Sequence, residues 1–405
     1  MSGRRALAGS LLALLMPASL LMVTQTSSTS ADTADSVSTS ASERRAQKTR
    51  VKLVALPQIV GQGKRPASAG SAKAGLTATV RPAKVGRPVA LQVKKGSSWK
   101  TVKKTKLNKK GRAEFGAPIS KGGEALTYRA TATPFKGSKA GTSKSVSTSR
   151  WLTPTWTDEF SGSSLDPVWN HRGVNYEPSS LRACSKGDPR AVSVGGGTAR
   201  LSVIKDPSRS SKCVAKKDGR STGKFAYRLN GHIGTQGAFS FKYGFAAARI
   251  KFQKSRGQHG AFWMQPAVEV KGATDPRLTG AEIDVIEYFG DKHPEGGLTS
   301  FIYSKNKKGQ DVKTGSLIKD SRSYLANKRD GWSKSYHVFS VEWTPKVYIF
   351  RIDGKETYRT KVGVSGQPQF PILSMLASDY EIYKIGSDRK LPQSMNVDWI
   401  RVWQA

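Results

Sequence analysis

The 405-residue chain reads as an all-β protein with two domains, a small basic sandwich followed by a large sandwich of about 250 residues. Three observations predict it. Short runs of alternating apolar and polar residues recur from Lys52 to the C-terminus, separated by Gly, Ser and Asn turns. No stretch holds a 3.6-residue apolar period over three turns. The composition also shifts at Trp151, where aromatic residues rise and the strands lengthen.

The N-terminus comes first. Arg4 and Arg5 precede an apolar run from Ala6 to Val23, with small residues at Thr29, Ser30 and Ala31. This is the layout of a secretory signal over residues 1–31. Pro17, Ser10 and Ser19 break the run, so it supplies no clean membrane span. The expectation is an exported protein, extracellular or cell-wall associated, with no membrane segment after signal cleavage. The Arg pair leaves the choice between general and twin-arginine export open. Residues 32–50 are rich in Ser, Thr and Ala and then charged, and read as a disordered linker.

Residues 51–134 carry the first set of strands, among them LTATVRP, PVALQVKK and LTYRATATP. Short strands at this spacing suggest a small sandwich. The net charge of +38 is concentrated here: residues 51–150 hold 22 Lys and Arg against two acids, Glu114 and Glu124. The lysines sit in strand-and-turn text, with no recognition helix, zinc motif or stacking-aromatic motif, so nucleic acid is not the expected partner. An anionic cell-wall polymer suits an exported protein better; a merely solubilising surface is the competing reading. Residues 135–150 (FKGSKAGTSKSVSTSR) read as a second linker.

The second domain, 151–405, has two cysteines in total, Cys184 and Cys213, and an exported protein favours their pairing. Closing that loop would contribute roughly 3–4 kcal/mol in the chain-entropy model. There is no CxxC or HExxH spacing for zinc.

One strand stands apart. In GAEIDVIEYFG, Glu282 and Asp284 share a face by strict alternation, with Ile283, Val285 and Ile286 turned to the core, yet Glu287 falls out of step. One extra residue between Asp284 and Glu287, a β-bulge, brings the third acid round to join the others. Three acids on one face repel one another, so folding alone does not favour them. Glycoside hydrolysis by retention uses such a set: two carboxyl groups about 5–5.5 Å apart, one nucleophile and one acid/base. The Cα atoms of Glu282 and Glu287 lie about 13 Å apart by strand rise, a span that long Glu side chains can close. Asp284 between them can push the two proton affinities apart.

E-I-D-V-I-E resembles the bulged ExDxxE signature of glycoside hydrolase family 16, laminarinase-like members in particular. The flanks follow in order: TWTDEFSGSSLDPVWN (155–170), YGFAAARIKF (243–252), GAFWMQP (260–266), YHVFSVEWTP (336–345) and VDWIRVW (397–403). The resemblance covers nearly all of 151–405. It implies a β-jelly-roll, a concanavalin-like sandwich, with Glu282 as nucleophile, Asp284 as helper and Glu287 as acid/base. It implies a secreted, monomeric endo-β-glycosidase acting on a polysaccharide, β-1,3- or mixed-linked β-glucan first. An anionic galactan hydrolase or a transglycosylase is the alternative, and a non-catalytic wall-binding lectin a weaker one. No cofactor is required; a structural calcium ion is allowed. Trp263 would stack on sugar, and Tyr303 and His259 would line the cleft. Residues 51–134 resemble the Ig-like β-sandwich modules appended to secreted bacterial enzymes. Trp343, Trp399 and Trp403 read as core, and His171, His232, His293 and His337 as structural. The sequence departs from the family pattern where a Trp usually precedes AFW (here His259), ahead of Glu282 (DPRLTGAEID), and at LSMLASDYEIYKI, which replaces Gly-Gly-x-Trp.

Overall fold

The computed structural model describes residues 46–68, 70–268, 270 and 272–405. The signal reading and all of the 32–50 linker before residue 46 lie outside the described residues. From Arg45 onward the chain forms one compact unit.

The large sandwich is built from twelve strands in one continuous antiparallel ladder that folds over on itself. The turning point is Arg228–Gly234. Its residues Arg228, Leu229 and Asn230 pair with Ala199–Lys205, and Gly231 to Gly234 pair with Gln369–Leu376. A side chain at Gly231 would strike the backbone of Leu201 and Ala191 at 2.8 Å, so the crossover requires glycine there. On one side of the turning point lie Gln369–Leu376, His259–Pro266, Glu282–Tyr288, Leu298–Lys305 and Asp311–Leu317, in that order; we call this the site sheet. On the other side lie Ala199–Lys205, Gln393–Gln404, Gly244–Lys251, His337–Thr344, Val347–Ile352 and Lys355–Thr360, the back sheet. Between them sits the main core, where Phe262, Ile283, Val285, Ile286 and Leu373 meet Ala246, Ala248, Phe339, Val341 and Ile400. The all-β jelly-roll reading holds.

The back sheet is buried on both faces. Its outer face carries Phe245, Ala247, Val338, Trp399 and Trp403, and these share a second core with the N-terminal strands. That is why Gly244–Lys251 (GFAAARIK) runs almost continuously apolar instead of alternating. The N-terminal part is itself two small antiparallel sheets around a common core. One is Arg50–Ala55, Ala74–Arg81 and Arg112–Ala117; the other is centred on Pro88–Lys95, Ser98–Lys106 and Thr127–Ala132. The sequence suggests a linker over 135–150. These residues instead add two short strands, Gly141–Thr142 and Val146–Ser147, both paired with Thr127–Ala132. Two residues per strand are too few to show alternation in the sequence.

The two parts are stitched by buried polar contacts. Arg249, 3 % exposed, pairs with Asp398 and donates to the Arg65 carbonyl at 3.1 Å, while Asp398 accepts the Ala67 amide at 3.2 Å. Arg401 pairs with Glu159 at 2.6 Å and reaches Gln58 at 3.2 Å. Arg112 pairs with Glu356, and Gly63 and Tyr336 exchange backbone hydrogen bonds. The guanidiniums of Arg249 and Arg401 thus each meet a carboxylate and at least one further acceptor, which offsets their loss of water. The small sandwich is a third layer of the molecule.

Trp399, fully buried between back sheet and small sandwich, generates a prediction. Trp399→Ala will cost about 3–5 kcal/mol, and scanning calorimetry will show wild-type residues 46–405 melting in one transition. Two separated transitions would contradict the shared core.

Candidate active site

Glu282–Tyr288 begins with alternation, and the alternation breaks where expected. On one side Trp263 opposes Asp284 and Phe262 opposes Ile286, so Val285 has no partner. On the other side the register jumps from Asp284↔Phe301 to Glu287↔Thr299. Val285 is the added residue of a bulge, and Val285 and Ile286 both go into the core, 2 % and 1 % exposed. At the bulge the buried hydroxyl of Ser300 donates to the Val285 carbonyl at 2.8 Å. Glu282, Asp284 and Glu287 therefore line one cavity, together with Arg182, His259, Ala261, Trp263, Ser374 and Leu376.

Each acid has its own surroundings. Glu282 accepts a hydrogen bond from Gln265 Nε2 at 3.1 Å. The amide of Gln265 cannot turn over, because Arg172 donates to its Oε1 at 2.8 Å and an arginine can only donate. Glu287 accepts from the Thr299 hydroxyl at 2.9 Å. Burial raises the Glu282 carboxyl; the Gln265 N–H opposes this and Glu287 adds to it. Asp284, 4 % exposed, is pushed well above the usual carboxylate range by burial and then by Glu287 and Glu282, with Lys313 opposing. Burial and the two neighbouring acids thus favour the protonated form of the middle acid.

Trp263 is half-buried in the cavity, its indole N–H donating to Ser374 Oγ at 3.0 Å. His232 stacks on its ring at 5.9 Å and 24°. Burial, then Arg172, Arg182 and His259, hold His232 down at about 3, so it is neutral. Tyr303 opposes Glu282 in register and is 37 % exposed. It lines an adjoining cavity of about 470 Å³ that shares Glu282 with the first. Burial and then the three acids raise its phenol. The Lys313 ammonium lies 3.8 Å from the Phe301 ring centroid and 5.0 Å from that of Tyr303. His259 lines the catalytic cavity but is 3 % exposed, with Nδ1 2.5 Å from Glu381 Oε1.

Cys184 and Cys213 are joined, with Cα atoms 5.5 Å apart. The bond ties the loop carrying Arg182 to the hairpin Lys212–Lys217 and Arg220–Ala226, and Ile382 packs in the same cluster. Among the described residues no group of three or more His, Cys, Asp or Glu is arranged to hold a metal ion. Asp398 and Glu159 are both taken by arginines, so a calcium ion does not fit there.

Sequence reasoning misses Gln265, Thr299, Ser300, Ser374, Arg172 and Glu381. Gln265 was within reach, being two residues past Trp263 on the same face. Thr299 likewise shares the alternation of Tyr303. Glu381 gives no local signal, since its partner lies 122 residues away.

Residues 202–401 match the family model described as glycosyl hydrolases family 16. The glucan endo-1,3-beta-glucosidase A1 of Niallia circulans is 23 % identical over 266 residues, 62 % of this chain and 37 % of that protein. The keratan-sulfate endo-1,4-beta-galactosidase of Sphingobacterium multivorum is 26 % identical over 192 residues, 44 % of this chain and 40 % of that protein. The solved laminarinase catalytic domain of Thermotoga maritima aligns with a TM-score of 0.47 at 19 % identity, covering 62 % of this chain and 98 % of that one. The chain thus spans well under half the length of these two curated relatives. Its residues 202–401 are a domain of glycosyl hydrolases family 16.

Asp284 gives a pH-dependent prediction. A carboxyl whose proton is held more tightly in the folded chain than in the unfolded one, where Asp titrates near 3.9, stabilises the fold at low pH. That contribution is lost as pH rises through the folded value. Asp284→Asn cannot ionise, so its melting temperature will match wild type below about pH 4. It will exceed wild type by a growing margin above, at about 2–4 °C per kcal/mol, while activity falls. A variant no more stable than wild type at pH 7 would contradict this.

Proposed function

We propose that the protein is a secreted, retaining endo-β-glycosidase that cuts a polysaccharide, first of all β-1,3- or mixed-linked β-glucan. The observation that carries the reading is the pair of glutamates in one cavity with unlike partners, Glu282 on an amide N–H and Glu287 on a hydroxyl, on either side of the buried Asp284. Of the two, Glu282 is the one fixed by Gln265 and near the charges of Arg172 and Arg182. Against the rise that burial imposes, these groups pull Glu282 back toward its carboxylate, the form that attacks the anomeric carbon. As the glycosidic C–O bond breaks, Glu287 gives its proton to the departing oxygen. Water then enters, Glu287 takes a proton back, and the bond between Glu282 and the sugar breaks. Asp284 holds a proton between the two and keeps their charges from adding. Trp263, fixed by Ser374 and His232, offers a ring face to a sugar, and Tyr303 offers a second one beyond Glu282.

Reducing-sugar release from laminarin, lichenan, agar and carrageenan tests this. Wild type will cleave laminarin or lichenan with retained anomeric configuration, and Glu282→Gln will lower kcat/KM by about 10³-fold or more. No cleavage of any of the four, or an active Glu282→Gln, would end the enzyme reading. Cleavage confined to agar would favour a neutral galactan, and cleavage confined to carrageenan the anionic one. Support for that second reading lies in Lys313 and Arg182 beside the acids and in the keratan-sulfate relative.

For the small sandwich we propose an anionic wall polymer as ligand. Ser98–Lys106 is an edge strand whose four lysines, Lys100, Lys103, Lys104 and Lys106, are all exposed and which carries no acid. Binding to such a polymer will weaken steeply as salt shortens the Debye length from about 10 Å at 0.1 M to about 3 Å at 1 M. Salt-insensitive binding would point to sugar recognition.

A further inference from the structure

His259 and Glu381 are a buried acid–base pair that the reaction above does not use. His259 opens the strand His259–Pro266, and Glu381 sits just beyond Gln369–Leu376, 1 % exposed. Nδ1 of the ring meets Glu381 Oε1 at 2.5 Å, and the same oxygen receives the Ser378 amide at 3.4 Å. The ring packs on Phe289 at 5.1 Å. The residue lines the same cavity as Glu287.

Folding gives no reason to keep this pair. Apolar residues of similar volume in place of a buried ion pair are often neutral or stabilising. The place of the pair does suggest a reason. Ala261, two residues past His259 on the same face, opposes Glu287 directly. Glu287 otherwise faces acids, Asp284 and Glu282 on its own strand, and the Thr299 hydroxyl. Arg182 lines the same cavity, Tyr380 and Tyr303 interact electrostatically with Glu287, and neutral His232 with His259.

We infer that His259, kept as an imidazolium by Glu381, is a positioning residue whose charge acts on the proton of Glu287. The inference rests on the acid/base role of Glu287. Burial alone would discharge the ring, but the Glu381 carboxylate outweighs it and, with Glu287 adding, raises the imidazole above its ordinary range. A fixed cation beside Glu287 favours the carboxylate that the second step needs, against the neighbouring Glu282, whose negative charge favours the proton. Glu282 and His259 thus pull on Glu287 in opposite directions. Their balance sets how readily it gives a proton in one step and takes one in the next.

The test follows the glutamate carboxyls by carbon-13 NMR across pH in the full chain, with Glu287→Gln identifying the Glu287 resonance. In His259→Phe, Glu287 will release its proton about one pH unit higher than in wild type. The alkaline limb of kcat/KM will move up by the same amount. In the isosteric Glu381→Gln the ring loses its counter-charge, titrates lower than in wild type, and imprints a second step on the Glu287 curve. Unchanged Glu287 curves in both variants, with only the melting temperature lowered, would overturn the inference and leave a structural pair. The NMR curves decide this even if no glycan is cleaved, and glycan cleavage with unmoved curves would sink this inference alone.

Discussion

A single unpaired residue, Val285, governs the chemistry of this protein. Without the bulge, alternation would send Glu287 into the core or Ile286 into the cleft. With it, the strand buries two consecutive β-branched residues and still turns three acids to one face. A bulge disrupts the ladder locally, and at this one the Ser300 hydroxyl donates to the Val285 carbonyl. Ser300 is a residue of the neighbouring strand, so the bulge belongs to the sheet and not to the strand alone.

Bringing three carboxyls together in a partly dry cavity creates an electrostatic problem, and much of the surrounding architecture answers it. Asp284 is buried deeply enough to hold its proton more tightly than an ordinary carboxyl, which eases the repulsion. Arg172 acts at a distance through Gln265 on Glu282, and Thr299 serves Glu287. His259 brings a cation, and its counter-charge Glu381 is held by a segment that packs on the Cys184–Cys213 cluster. The disulfide, some way from the reacting atoms, thereby fixes both the Arg182 loop and the Glu381 segment. Behind the site sheet the back sheet is clamped by the small sandwich, so the catalytic face rests on two buried layers.

What could be read in the sequence follows from range. Period-two alternation is local, so the strands, the bulge and the three acids were legible in EIDVIE alone. The aromatic lining was legible too, since Trp263 and Tyr303 share alternation with Ala261 and Thr299. Pairings over long separations left no mark. His259 and the segment around Glu381 each stood out as departures from the family pattern, but nothing in the sequence joined them across 122 residues. Trp399 and Trp403 were legible as core, yet a core within one domain and a core shared with another use the same residues. The third layer was therefore invisible, as were the two-residue strands of 135–150, too short to alternate.

The central claim is that the bulge assigns attack to Glu282 and proton transfer to Glu287. The direct measurement is trapping with a 2-deoxy-2-fluoro glycoside of the cleaved oligosaccharide, followed by peptide mass mapping. The account predicts one adduct, on Glu282, that turns over slowly when an acceptor sugar is added. An adduct on Glu287, or cleavage with inverted configuration and no adduct at all, would contradict it.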